Sequence, residues 1–457
     1  MNQKKSRCKS INLLFLILIL LILASCSSKP NILDTYYKTS SENPITFTTL
    51  DNGVKVIIKE EHRHPIVDMN LFVTLGSADE DNSTRGVSHL VEHMAFKTIK
   101  EKYHMSETEF FTQYGVSDYN AWTTDDYVEF YFTSLPEKFE EVFRIYTDMI
   151  INPAFNNTEL EKEKKVVKEE YTLDLDGPYY NGYLRYWELF YGEHPYRYPI
   201  IGYPEVFMNA TASSIRNFQK KITAPDNLIV VIVGDIKTEK ALSLAKETLA
   251  RLPESKTKRK ERPLLLPPKE NIEDTIKLNV THEEIWIGFR APGRKTISKT
   301  EKYSMAVLNR VLNERLLYNI ANTGLASSAV AGLDDMKDDY GIYAEFSLEP
   351  EKEPEVLREF NATIAYIKSG DFSEKDFERF KNNLILEQEG IFYTVTAQGD
   401  IFGVYAINEN ITTEQEMNEI YKDSDYLKNL SMEDVQKTAG KYLTNYVLLR
   451  MVPKNEN

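Results

Sequence analysis

Two histidines and a glutamate fall within five positions in the segment Thr84-Arg-Gly-Val-Ser-His-Leu-Val-Glu-His-Met-Ala-Phe, where His89, Glu92 and His93 form H-x-x-E-H. The chain has only 7 histidines in 457 residues, so this spacing is a strong signal. On a helix at 100° per residue, imidazoles four positions apart lie one turn apart on one face and can close on a single zinc ion. Val87, Leu90, Val91, Met94 and Ala95 make an apolar stripe on the other side. The stripe anchors the helix, and the opposite face presents the histidines with Glu92 between them.

A zinc site normally takes a third protein ligand. The run Asn157-Thr-Glu-Leu-Glu-Lys-Glu-Lys-Lys-Val-Val-Lys-Glu-Glu-Tyr offers candidates on a second helix, with Thr158 and Glu161 reading as a capping box at its start. Projected at the same angle, Leu160, Val166 and Val167 define an inward face that also contains Glu163 and Glu170, while Glu169 falls outside it. Carboxylates in an apolar stripe are costly unless something cationic meets them, which a metal and its neighbours would do.

These helices need a scaffold, and the rest of the chain reads as one. Residues 47–59 form two short strands joined at Asn52-Gly53. Strands are expected at 67–74, 127–133 and 228–233, a helix at 84–100, and helices across 137–173. A comparable programme recurs after residue 270: a strand at 284–290, a helix at 302–318, a strand at 341–348, two helical stretches, and a last strand near Val447. The fold class is therefore α+β, with two homologous domains, each a mostly antiparallel sheet with helices packed on one face. Residues 44–251 and 271–457 are expected as the domains. The Pro-rich, basic stretch 252–270 is expected as a linker whose charge serves solvation.

Composition narrows the functional classes. A chain of this length with 42% hydrophobic residues packs a large core, and its formal charge of -15 argues against nucleic acid as a partner. Both cysteines, Cys8 and Cys26, lie in the first 26 residues, which excludes thiolate chemistry elsewhere. A basic flank, an apolar run at 13–23 and Leu23-Ala-Ser-Cys26 describe a secretory signal over residues 1–25. That tetrapeptide resembles the bacterial lipobox. The resemblance implies lipidation of Cys26, a tether over 26–43, and an extracytoplasmic place in a bacterial envelope, at the outer membrane if the host has one.

The zinc motif and the distant glutamates resemble the pitrilysin/insulinase-type zinc metallopeptidases, whose inverted motif is H-x-x-E-H. Matching stretches are Gly76-Ser-Ala-Asp-Glu, Asn120-Ala-Trp-Thr, the 163–170 segment, His194-Pro-Tyr with Ile201-Gly202, and residues 227–235. The resemblance implies one Zn2+ per chain held by His89, His93 and Glu170. It makes Glu92 the catalytic base and Glu163 a support behind the ligands, and it places Asn120 and Ala121 on an edge strand that pairs with an extended peptide. The chain looks like a half-length bacterial member similar to mitochondrial processing peptidase subunits, half of a peptidase clamshell. Aligned with the family, Ala321 and Ser327 stand where a full enzyme has an arginine and a tyrosine for the substrate carbonyl. The expected partner is a homologous subunit supplying that pair, in a heterodimer rather than a homodimer. The alternative is a non-catalytic subunit serving as scaffold or peptide-binding half. His62, His64, His104, His194 and His282 carry no ligand pattern, and a structural role is expected for His194.

Overall fold

The computed structural model describes residues 44–154 and 156–454. The lipidation expected at Cys26, with the rest of 1–43, lies outside them. In the first sheet, β1 (Thr46–Thr49) and β2 (Lys55–Glu60) form the expected hairpin, followed by β3 (Val67–Val73), β4 (Val116–Thr123), β5 (Val128–Ser134) and β6 (Leu228–Gly234). The spatial order is β1-β2-β6-β3-β5-β4, antiparallel except for β2 beside β6. All seven residues of β3 and of β6 are buried, the signature of strands covered on both faces. Among the described residues β4 pairs with β5 alone, which leaves its outer edge open there.

The second sheet contains β7 (Ile272–Leu278), β8 (Glu283–Phe289), β9 (Ser328–Leu333), β10 (Ile342–Leu348) and β11 (Val447–Pro453), in the order β7-β11-β8-β10-β9. Among the described residues of this sheet, β11 and β7 run parallel and the other pairs antiparallel. The fold is thus the expected α+β pair of mostly antiparallel sheets, although β7 and β9 were not legible as strands.

Helices α1 (Val87–Tyr103), α2 (Pro136–Ile151) and α3 (Asn157–Asp176) belong to the first half, and α1 and α2 share its core with β3 and β5. The next helix, α4 (Tyr180–Tyr191), crosses to the second sheet, where Tyr186 and Phe190 pack on Val447, Leu449 and Met451. Helix α5 (Lys299–Leu316) covers the other side of that sheet. In return α6 (Val395–Asn408) lies on β3 and β6 of the first sheet. Phe402, Tyr405 and Ala406 there join Phe72, Ile229 and Val231. Gly403 permits the approach, because a Cβ at that position would overlap the Phe72 ring. Each sheet therefore has its own helices on one face and a borrowed helix on the other. Exposing Phe392, Val395, Phe402, Tyr405 and Ile407 of the borrowed segment would cost roughly 10 kcal/mol at about 2 kcal/mol per side chain, comparable to a whole domain's net stability.

The stretch 252–270 departs from its expectation. Arg262 is nearly buried and bonds three carboxylates: Asp126 at 2.5 Å and Asp79 at 2.9 Å in the first half, and Asp338 at 2.9 Å in the second. Arg259 donates to Thr74 and to Asn227. Two of the basic residues read as solvating charge instead fasten the connecting segment to the body of the protein.

Candidate metal centre

Helix α1 begins at Val87, three residues later than expected, because Gly86 takes φ +88°. A Cβ at Gly86 would strike the Ile201 carbonyl, so only glycine fits this turn. The Glu80 carboxylate accepts from the N–H groups of Gly86 (2.8 Å) and Ser88 (2.6 Å), satisfying donors at the helix start. Val87, Leu90, Val91, Met94 and Ala95 are all buried, as the stripe requires. With that face fixed, His89, Glu92 and His93 are held on the other.

The start of α3 corrects the sequence reading. Asn156 caps it, accepting from Thr158 N–H at 2.7 Å, while Glu161 pairs with Lys164. Asparagine one position before the helix competes better for the free N–H groups than a threonine already inside it. Val166 is 38% exposed and does not belong to the inward face, which Leu160 and Val167 occupy. Glu163 is buried on that face, Glu170 is partly exposed beyond it, and Glu169 is exposed.

Across the α1–α3 contact, Glu170 Oε2 lies 3.9 Å from His89 Nε2 and 3.7 Å from His93 Nε2. The imidazole rings stand edge to face with centroids 4.7 Å apart. One ligand atom from each of His89, His93 and Glu170 falls within 4.8 Å of the others, and among the described residues they form a group able to hold a metal ion. Zinc–nitrogen and zinc–oxygen distances near 2.1 Å imply tetrahedral donor separations of about 3.4 Å, so modest side-chain movement would close the set. Two imidazoles and a carboxylate fit zinc in donor chemistry as well.

His93 Nδ1 meets Glu163 Oε2 at 3.3 Å, and Lys97 Nζ lies 3.4 Å from Glu163 Oε1. A proton on Nδ1 facing Glu163 leaves Nε2 as the lone pair directed toward Glu170, the usual carboxylate–histidine support of a metal ligand. Glu92 is nearly buried and its Oε2 accepts from Thr123 Oγ1 at 2.6 Å. The sequence reading gave Lys97 no role, and it named Thr123 only as the last residue of the stretch Asn120-Ala-Trp-Thr. Lys97 follows His93 by four positions, a spacing that shares a helix face, whereas nothing in the sequence pairs Thr123 with Glu92.

The electrostatics separate the two rings. Burial, followed by the charge of His93, pushes His89 down to about 4, which keeps it neutral and available as a ligand. Burial opposes protonation of His93 too, but the Glu163 hydrogen bond and the charges of Glu170 and Glu92 outweigh it and raise its pKa. Burial raises Glu92 against the Thr123 hydrogen bond and His93. Glu163 is lowered despite burial because His93 and Lys97 favour its charge.

These groups open into a cavity of about 630 Å³ whose lining includes His89, Glu92, Ala121, Thr123 and Glu170, together with Trp187, Tyr196 and Asp334. Asn120 and Ala121 lie on β4, whose outer edge has no partner strand among the described residues. The remaining histidines take no part. His194 is buried, its Nδ1 accepting from Tyr196 N–H, and His62 pairs with Glu60 and Asp235. Ala321 and Ser327 present neither a guanidinium nor a phenol.

Comparison with known proteins identifies the family to which this fold belongs. Residues 55–173 match the family described as insulinase (peptidase family M16), and residues 209–384 match the peptidase M16 inactive domain. The chain belongs to the M16 peptidase family. It is 24% identical over 419 residues to the uncharacterized zinc protease YmxG of Bacillus subtilis, covering 90% of this chain and 98% of that one. A protease from Helicobacter pylori superposes with a TM-score of 0.78 at 19% identity, covering 90% of this chain and 100% of that one. The periplasmic protease PqqL of Escherichia coli superposes with a TM-score of 0.73 at 19% identity, but this chain spans only 48% of it.

Proposed function

We propose that this chain is a zinc-dependent endopeptidase that hydrolyses extended peptides or small unfolded proteins. The observation that carries the reading is the approach of His89, His93 and Glu170 beside a nearly buried Glu92, in a cavity bordered by an open strand edge. His89, His93 and Glu170 would hold one zinc ion, and Glu163 would fix His93 from behind. Bound zinc supplies Lewis acidity, which acidifies water and stabilises negative charge on a substrate carbonyl. Glu92 takes the proton from the attacking water and passes it to the leaving amine. The β4 edge at Asn120 and Ala121 pairs with the peptide backbone, which selects extended substrates.

The lack of an arginine and a tyrosine at Ala321 and Ser327 leaves the substrate oxygen without two donors. We assign them to a homologous subunit in a heterodimer, and take 44–251 and 271–457 as the two domains of the half supplied here. PqqL, about twice the length matched by this chain, suits that pairing. The same lack favours a second reading, a non-catalytic scaffold or peptide-binding half. Residues 1–25 are proposed as a signal and Cys26 as a lipid anchor in the bacterial envelope. No helix among the described residues is long and apolar enough to cross a membrane.

Zinc analysis and cleavage of quenched fluorescent peptides, with the chain alone and with copurified partners, test the reading. One zinc per chain and hydrolysis lost in Glu92→Gln with zinc retained are expected. Stoichiometric zinc without cleavage in any assembly would leave the scaffold reading in its place.

A further inference from the structure

The bond between Thr123 and Glu92 joins two parts of the molecule with different tasks. Thr123 is the last residue of β4, paired with Val128 of β5, and two positions before it Ala121 lines the cavity at the open edge. Glu92 belongs to α1. The Thr123 hydroxyl donates to its carboxylate at 2.6 Å, at the short end of the hydroxyl–oxygen range.

The strand end is itself tightly held. Trp122 Nε1 donates to Glu129 at 2.9 Å on one side of Thr123, and Thr124 N–H donates to the Tyr127 carbonyl at 2.8 Å on the other. The Tyr146 hydroxyl reaches the Asn120 carbonyl at 3.0 Å from beneath. A β-branched side chain on such a strand has few χ1 choices, so its hydroxyl is a fixed point. Glutamate has three side-chain torsions and takes its position from what it bonds.

We propose that Thr123 is a positioning residue that fixes the Glu92 carboxylate relative to the substrate-pairing edge of β4. The proposal rests on the peptidase reading above. One rigid strand then sets both the register of the peptide backbone and the location of the base, so the base stays aligned with the bond that the strand presents. Displacement of a reacting group by about 1 Å costs on the order of a hundredfold in rate, and the effect falls on the chemical step rather than on binding.

Thr123→Val keeps shape and strand preference and deletes only the hydroxyl, while Thr123→Ser keeps the hydroxyl. In the zinc-loaded active assembly, Thr123→Val is expected to lower kcat about 10- to 100-fold with KM within about threefold, and Thr123→Ser to restore most of kcat. A separate readout does not depend on turnover: crystal structures of the metal-free variants should show the Glu92 carboxylate displaced or in several rotamers in Thr123→Val, and in its original place in Thr123→Ser. Should Thr123→Val fail to fold, Thr123→Ala is read in the same way. Unchanged kcat in Thr123→Val, an effect confined to KM, failure of serine to rescue, or an undisturbed Glu92 would each overturn the proposal. Absence of cleavage by the parent chain in every assembly would instead count against the peptidase reading, and the crystallographic comparison would still decide whether Thr123 holds Glu92.

Discussion

Replacing Glu163 isolates the proposed support behind the proposed metal ligands without touching any of them. Glu163 faces His93 Nδ1 at 3.3 Å and Lys97 Nζ at 3.4 Å, and it is nearly buried, so solvent screens these interactions little. Glu163→Gln keeps an oxygen able to accept from Nδ1 but removes the charge that makes His93 more basic. Glu163→Ala removes both. Loss of a carboxylate behind a metal-bound histidine typically costs 10- to 100-fold in affinity, or about 1.4 to 2.7 kcal/mol. Glutamine is expected near the lower value and alanine near the upper. Competition against a chromophoric chelator at pH 7.5 measures the constants directly, with thermal unfolding confirming that both variants fold. Glu170→Gln, which removes the charge of a proposed ligand, should weaken zinc more than either. Zinc affinity unchanged in Glu163→Ala would refute the assignment of Glu163 as the group that orients His93.

Three further expectations concern the scaffold. Arg262→Met strands Asp79, Asp126 and Asp338 without their shared cation and should destabilise the chain by about 3 kcal/mol in urea unfolding; no change would mean that the segment is not fastened as described. Gly403→Ala should destabilise by about 1–3 kcal/mol although alanine is the better helix former, because its methyl group meets Phe72; a gain in stability would refute the tight α6 contact. Burial, aided by the charge of Asp400, pushes Glu129 up to about 8, and burial pushes Asp68 up to about 7 against hydrogen bonds from Thr133 and Asn70. Both bind protons in the folded chain that they release in the unfolded one between pH 4 and these values, so their contribution to stability, complete below about pH 4, declines as pH rises toward 8. The double variant Glu129→Gln/Asp68→Asn should lose less thermal stability than the parent between pH 5 and pH 8, and parallel curves would contradict the shifted carboxyls.

Local signals carried much of the fold. The hairpin at Asn52-Gly53, strands β3, β5, β6, β8, β10 and β11, and helix α1 were readable because each is periodic or apolar over most of a turn or strand. Strand β9 escaped because Ser328-Ala-Val-Ala-Gly-Leu is an edge strand with few large apolar residues, and β7 because Ile272-Glu-Asp-Thr-Ile-Lys-Leu is highly charged. The charge of 252–270 was misread for a related reason: sequence shows that arginines are present, not that three carboxylates await one of them.

Residue type and short-range spacing by themselves determined the H-x-x-E-H face, its packed opposite stripe and the presence of glutamates on a second helix, since helical geometry repeats whatever the surrounding fold. The tertiary structure alone decided that Glu170 approaches both imidazoles, that Glu163 and Lys97 stand behind His93, that Thr123 grips Glu92, and that each sheet borrows a helix from the other half. Apart from Lys97 and His93, which share one helix, those relations join residues from 31 positions apart (Glu92 and Thr123) to more than 300 (Phe72 and Phe402), and such a meeting is set by how the sheets order their strands and how the helices pack, information that no local pattern contains.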